Sequence, residues 1–410
     1  MDHQDTPLRP LGKRRVFYIP GYDPFPPRRY RELYRRESTA QARISGYEIH
    51  QKASREGGKY GWQVHSTQDG HSVEALVEVL LWSDIVRGSM GSSILATYMQ
   101  LLRTAFLYIG SGALFRLMRL RNGPVLAALY PVVALLVQLI AVMAAAGALY
   151  WGLATLARMI APAWPLHGLA LVPAIGGVIF GLRWFRAHDN RFYAYYLMHD
   201  YAFTARWNGA YPPALEDRIE VFADRIAQAL EEDWDEVLVV GHSSGAHVAI
   251  SVLAALDRRA VSGAALSLLT LGHVVPMVSF LPRAQRLRRD LHDLSATSRL
   301  TWVDVTAMGD GCTFALVDPA GVTGVAPEKQ TGPLVFSAAF SQSLSPERWK
   351  SDRRRYFQLH FQYLCAFDRV QDYDYFRITA GPLTLAQRYG ARAHSPSRLS
   401  APVNRYRSMS

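Results

Sequence analysis

Apolar positions along the 410-residue chain fall into three regimes. Up to about residue 85 they come in short runs and alternations of strand length; between 94 and 182 they are nearly continuous. From about 200 to 385, short β-branched runs take turns with helical stripes. Residues 16–19 predict a short strand that ends in Pro20-Gly21-Tyr22-Asp23-Pro24. Between 43 and 83 the alternation suits antiparallel strands, with 60–66 and 72–81 joined across an Asp69-Gly70 hairpin signal. Residues 216–232 place Ile219, Phe222, Ile226 and Leu230 on one helical face. Strands follow at 237–240, 266–271, 300–306 and 333–340, with a basic helix at 283–294. Strands alternating with helices imply an α/β fold: a mostly parallel sheet with right-handed crossovers and an antiparallel first edge, flanked by helices.

The middle regime breaks that rhythm. Residues 122–157 carry no charged side chain, nor do 159–182. About 20 apolar residues suffice to cross a ~30 Å hydrocarbon layer, so two transmembrane helices are expected, near 129–154 and 166–184. A Pro-containing turn at 161–165 joins them, and Tyr150, Trp151 and Trp164 stand where interfacial aromatics belong. The 94–120 stretch is apolar but broken by Arg103, Arg116 and Arg119. That pattern suits a helix lying on the membrane surface better than a third span, with a soluble cap helix as the alternative.

Charge adds an orientation. The formal net charge is +11, and nearly all the basic residues are arginine. Arg103, Arg116, Arg119 and Arg121 precede the first span, Arg183, Arg186 and Arg191 follow the second, and the connecting loop offers only Arg158. The positive-inside rule then puts both flanks in the cytoplasm, the hairpin being anchored in the cell inner membrane. No nucleic-acid-binding motif accompanies the charge. Cys312 and Cys365 lack metal-site spacing and are expected to be reduced, buried thiols. Residues 1–20 show no apolar core or cleavage site of a secretory leader.

The candidate chemistry lies where the strand at 237–240 runs into Gly241-His242-Ser243-Ser244-Gly245, followed by a helical apolar run. Strand, tight turn and helix form the setting that G-x-S-x-G needs, because the serine then projects from the turn and the helix N-terminus offers free N–H groups. This stretch resembles the nucleophile elbow of the α/β-hydrolase family. The resemblance implies a Ser-His-acid triad in the order Ser, acid, His, and an acyl-enzyme route to an ester, thioester or lipid acyl bond without metal or organic cofactor. Ser243 would be the nucleophile. The oxyanion would be held by the backbone after it, at Ser244, and by the Pro20-Gly21-Tyr22 turn, through the Tyr22 N–H.

Asp310, between glycines just past the strand at 300–306, is the expected acid; Asp304 in that strand and Asp318 before Pro319 compete with it. His360 is the expected base, against the alternative that Tyr356, Phe357, His360, Phe361 and Leu364 form one helical stripe around a core histidine. His394 lies in a polar tail expected to be frayed, and His242 and His247 on the elbow read as supporting or structural. Residues 1–90 and 193–390 are thus two parts of one hydrolase-like domain, 91–192 a helical membrane insertion, and 391–410 the tail. A hydrophobic acyl or lipid substrate drawn from the membrane is the expected partner. Two other classes fit the same residues: a catalytically silent membrane scaffold, and an acyltransferase using the same triad.

Overall fold

A computed structural model describes residues 9–54, 60–91, 93–160 and 164–410, without the side chains of 160 and 164–167. Its strands are β1 (Lys13–Ile19), β2 (Glu48–Ser54), β3 (Gly61–Gln68), β4 (His71–Val79), β5 (Glu236–His242), β6 (Ala265–Leu271), β7 (Leu300–Thr306) and β8 (Leu334–Ser337). They form one sheet in the order β2-β3-β4-β1-β5-β6-β7-β8. The β2–β3 and β3–β4 pairs are antiparallel and the remaining neighbours parallel. The α/β class, the antiparallel edge and the parallel remainder therefore agree with the hydrophobic pattern.

The helices are α1 (Arg28–Ser45), α2 (Ser83–Met90), α3 (Ile94–Gly110), α4 (Ala113–Leu120), α5 (Asn122–Ile160), α6 (Trp164–Ala187), α7 (Asp189–Phe192), α8 (Ala194–Ala205), α9 (Pro213–Leu230), α10 (Gly245–Arg258), α11 (Val275–Ser279) and α12 (Gln285–Ala296), with shorter ones beyond. Every residue of β5 is buried, which its unbroken apolar run requires once both faces are covered. Val237 and Val239 join Phe17 and Ile19 in the core shared with α9 and α10. Leu238 and Val240 join Val16 and Tyr18 on the other face, against Tyr30 and Tyr34 of α1. The two-residue period of a strand does this sorting.

The chain enters at the centre of the sheet with β1, runs out to β2, returns through β4, and then crosses to β5 and outward to β8. Progress along the sheet reverses between β1 and β5. In an open α/β sheet such a reversal leaves a crevice beyond the carboxyl ends of the two strands, the usual place for a ligand.

The whole apolar helical insertion occupies the β4–β5 crossover. α5 is 39 residues long, about 58 Å at 1.5 Å per residue. One face of its first third is covered by the rest of the protein, while Leu126, Tyr130 and Val133 are exposed: Val125 packs with Leu117, Phe314 and Val317, and Leu135 with Leu101 of α3 and Met198 of α8. The part beyond Leu135 runs beside α6, with Val142 and Ala146 buried and Leu136, Ile140, Met143 and Trp151 exposed. Gly181 of α6 takes the close approach: a Cβ there would lie 2.8 Å from Val142 Cγ2, as small residues permit in membrane helix pairs. Two helices, 122–159 and 168–187, are long and apolar enough to cross a membrane. The joining residues 161–163 lie outside the described residues.

The 94–120 stretch is two helices bent by 72°. Leu101, Tyr108, Leu117 and Leu120 are buried against the rest of the protein, while Leu95, Met99, Leu102, Phe106, Phe115 and Met118 are exposed. One apolar face is thus spent on the protein and the other left bare, which neither a straight span nor an ordinary cap helix would show.

The tail is a correction. It is docked, not frayed: Asp318 N–H donates to Leu399 O (2.8 Å), Val403 N–H to Val322 O (2.9 Å), and Arg288 Nε–H to Ser408 O (2.6 Å). Ser395 N–H donates to Val335 O (2.9 Å) while His394 Nδ1 accepts from Val335 N–H (3.1 Å), so the tail covers the open edge of β8. Polar composition misled because the tail's own backbone makes many of these contacts, which composition does not report. The two cysteines are free and only partly buried, short of the full burial expected.

Candidate active site

Ser243 sits at φ 59°, a left-handed conformation a non-glycine residue holds only under tertiary constraint. The constraint is visible on both sides. Ser243 N–H donates to Leu271 O (2.9 Å), binding the turn to β6, and α10 begins at once with Gly245. A Cβ on Gly245 would fall 2.3 Å from Ile19 O, and one on Gly241 2.8 Å from Ala246 Cα. Those glycines let β1, β5 and α10 approach closely enough for the serine to project at the β1/β5 crevice.

The β1 turn lies beside it. Trp82 Nε1–H donates to Pro20 O (2.9 Å) and Tyr196 OH to Tyr22 O (2.5 Å), which hold the turn in place. The Tyr22 N–H points at the elbow and donates to Ser244 Oγ at 2.7 Å. The Ser244 N–H, at the start of α10, has no acceptor among the described residues. One expected oxyanion donor is therefore free, and the other is held by a neighbouring hydroxyl.

His360 ends a five-residue helix, Tyr356–His360. Its Nδ1–H donates to Asp310 Oδ2 at 2.7 Å, both side chains being buried. Asp310 is fixed by two further donors, Tyr363 OH to Oδ2 (3.1 Å) and Cys312 N–H to Oδ1 (2.8 Å). This sets the tautomer: with Nδ1 protonated, Nε2 is the acceptor. His360 Nε2 makes no hydrogen bond among the described residues, and His360 lines one cavity of about 70 Å³ together with Ser243 and Ser244. The long helical stripe proposed for 356–364 does not form; Tyr356 and Phe357 are exposed while Leu359, His360 and Tyr363 are buried. The Asp310 loop also touches the apolar helical insertion, since a Cβ on Gly123 of α5 would come 3.0 Å from Gly311 O.

The competing acids are engaged elsewhere. Asp304 is fully buried, accepts from Thr270 Oγ1 (2.6 Å), and lies 3.6 Å from His273 Nε2; burial pushes its carboxyl up to about 6. Asp318 caps the short helix Pro319–Thr323, accepting from Ala320 and Gly321 N–H at 3.1 Å each. His242 donates from Nε2 to the His360 carbonyl (2.8 Å), so it holds the backbone of the expected base, and burial lowers its pKa to about 3. His247 accepts at Nδ1 from Tyr211 OH (3.0 Å) and is likewise lowered by burial to about 3. Both are neutral near pH 7.

Asp310, Cys312 and His360 offer three ligand atoms within 4.8 Å of one another. They suit a cation poorly: the Asp310–His360 hydrogen bond uses two of the atoms, and burial pushes the Cys312 thiol up, keeping it protonated.

An outer cavity of about 820 Å³ leads to Ser243, lined by aromatics of α8 and the 357–361 segment and by Arg28 and Arg29. Arg29 pairs with Asp23 (3.1 Å) and lies over Phe361. Sequence reasoning missed Asp200 of α8, which lines both cavities. Its signal was present: it is the one charged residue between Arg191 and Arg206, in a run crowded with aromatics. Compared with protein-family models, with curated proteins and with solved structures, the chain gives no match in any of the three.

Proposed function

We propose that this protein is a membrane-anchored serine hydrolase that cleaves an ester, thioester or lipid acyl bond of a hydrophobic substrate. The observation that carries this reading is the placement of Ser243, at φ 59° on a strand-turn-helix, in one cavity with a histidine whose Nδ1–H is held by Asp310 at 2.7 Å. In this reading His360 Nε2 takes the Ser243 proton as Oγ attacks the acyl carbonyl. The oxyanion accepts from the Ser244 N–H, where the α10 N-terminus adds its positive end, and from the Tyr22 N–H once Ser244 Oγ turns away. His360 then returns the proton to the leaving alcohol or thiol. Water, activated by the same nitrogen, releases the acid and restores Ser243. The steps draw on no organic cofactor.

Purified protein is expected to react with a fluorophosphonate, and Ser243→Ala to lose the label. Label that persists, or moves to Ser244, overturns the assignment; wild-type protein that never labels returns the silent-scaffold reading. Product analysis with an added alcohol separates hydrolysis from acyl transfer.

The same proposal places α5 and α6 as a hairpin through the inner membrane, with both parts of the sheet in the cytoplasm. Its support is the exposed apolar surface beyond Leu135 and the arginines outside both spans. A reporter at Pro162 should read the outer side and one at the C-terminus the cytoplasmic side. Extraction of the protein by alkaline carbonate would show that it is not integral.

A further inference from the structure

The outer cleft and the inner pocket share five lining residues: Tyr22, Leu197, Asp200, Ser243 and Phe357. Asp200 thus lines both cavities, as Ser243 does. Several of its polar neighbours already have partners, although His360 Nε2 does not. Asp310 has three donors, Tyr196 OH is spent on Tyr22 O, and Tyr22 OH bonds Ser89 Oγ. Asp200 makes no hydrogen bond or ion pair among the described residues. Asp200 is half-buried in the wall of both cavities, and a carboxyl there without a protein partner is open to a donor from a ligand.

We propose that Asp200 is a specificity-determining residue that accepts a hydrogen bond from a free hydroxyl on the alcohol part of the substrate. Resting on the serine-hydrolase reading, this names the substrate class as partial esters of a polyol, in contrast to fully esterified or simple alkyl esters. The inner pocket is small, with Trp82, Phe203, Met277 and Val278 in its wall beside Thr204, His247 and Cys312, so it suits a short acyl end. The alcohol then lies toward the outer cleft and carries its hydroxyl past Asp200. Arg28 and Arg29 share that cleft with Asp23 and Glu32, and Arg29 is paired with Asp23, so its charges are largely balanced. Phosphate or carboxylate beside Asp200 would meet a like charge.

The titratable groups facing Asp200 are Tyr22, Tyr108 of α3, Tyr196 and Tyr201 of α8, Cys312 and His360. Burial holds the tyrosines and the thiol protonated, so only His360 opposes the burial that pushes the Asp200 carboxyl up to about 7. Either form of the carboxyl can accept from a hydroxyl.

The test uses the full-length protein in detergent with two probes, glycerol monobutyrate and propyl butyrate, which share acyl group and alcohol carbon count and differ in the free hydroxyls. Wild-type kcat/KM should favour the glycerol ester by at least about tenfold. Asp200→Leu should abolish that preference by lowering kcat/KM for the glycerol ester alone, while Asp200→Asn, whose amide oxygen still accepts, should retain most of it. An equal loss on both esters, as expected if Asp200 serves only to steady the His360 imidazolium, overturns the proposal; so does unchanged preference in the leucine variant. Fluorophosphonate labelling of Ser243 is followed in parallel. Labelled wild type without ester preference sinks the Asp200 role alone, whereas unlabelled, inactive wild type sinks the hydrolase reading and this role with it.

A folding readout accompanies the kinetics. A carboxyl whose folded pKa lies near 7, above its unfolded value, contributes stability that is present below about pH 4 and is lost as pH rises through 7. Asp200→Asn should therefore raise Tm more at pH 8 than at pH 5. An equal shift at both pH values would show that the carboxyl is solvated and free of the constraint invoked here.

Discussion

Asp310→Asn is expected to lower turnover by about three to four orders of magnitude while leaving the fold and substrate binding intact. The reason is the direction of one hydrogen bond. Asp310 Oδ2 receives the His360 Nδ1–H at 2.7 Å, which leaves Nε2 unprotonated and able to take the serine proton. An asparagine that turns its NH₂ to the ring favours the opposite tautomer, with the proton on Nε2. Its size is unchanged, its oxygen in the Oδ1 place still accepts from Cys312 N–H, and its NH₂ in the Oδ2 place can donate to the Tyr363 oxygen, so thermal stability should move little. Measured kcat, KM and Tm for Asp310→Asn, Asp304→Asn and Asp318→Asn separate the roles. Asp304 is buried in β7 on Thr270, and Asp318 caps a helix, so those variants should act mainly on stability. Near-full activity in Asp310→Asn, beside a pure loss of turnover in either other variant, would reassign the acid.

The second large effect is on folding. Arg14 of β1 and Glu236 of β5 form an ion pair with both side chains 0% exposed, Nε to Oε2 2.7 Å. Neither is left with the pair alone: Arg14 also donates to Gly381 O (2.8 Å), and Glu236 Oε1 accepts from Ser267 Oγ and Leu385 N–H at 2.7 Å each. The cluster therefore joins three strands of the sheet to the 381–385 segment. Arg14→Met or Glu236→Leu alone strands a buried charge and should cost about 3–5 kcal/mol in denaturant unfolding. The double variant should lose less than the sum of the two, because the partner's desolvation is removed along with the charge. Additive losses would mean that the pair contributes through packing only.

What the chain's local pattern could determine, it did. Strand alternation, the unbroken apolar run of β5, the two charge-free stretches and the glycine spacing around Ser243 are short-range signals, each set by the period of one element or by the space available at one turn. They were enough to place the α/β class, the antiparallel edge, the apolar helices and the elbow. The 50 residues separating Asp310 from His360, and the 222 separating Tyr22 from Ser244, are closed only by the sheet, which sets β1 beside β5 in spite of the insertion between them. The partners of Asp304 and Asp318, the isolation of Asp200 at the serine, and the docking of the polar tail on β8 likewise arise from packing between distant segments. A residue's type states which bonds it can make. Which group stands opposite it, and whether water is excluded there, is decided only when separate stretches of chain are brought together, since hydrogen bonding and desolvation act across a few ångströms of space and carry no mark in neighbouring sequence.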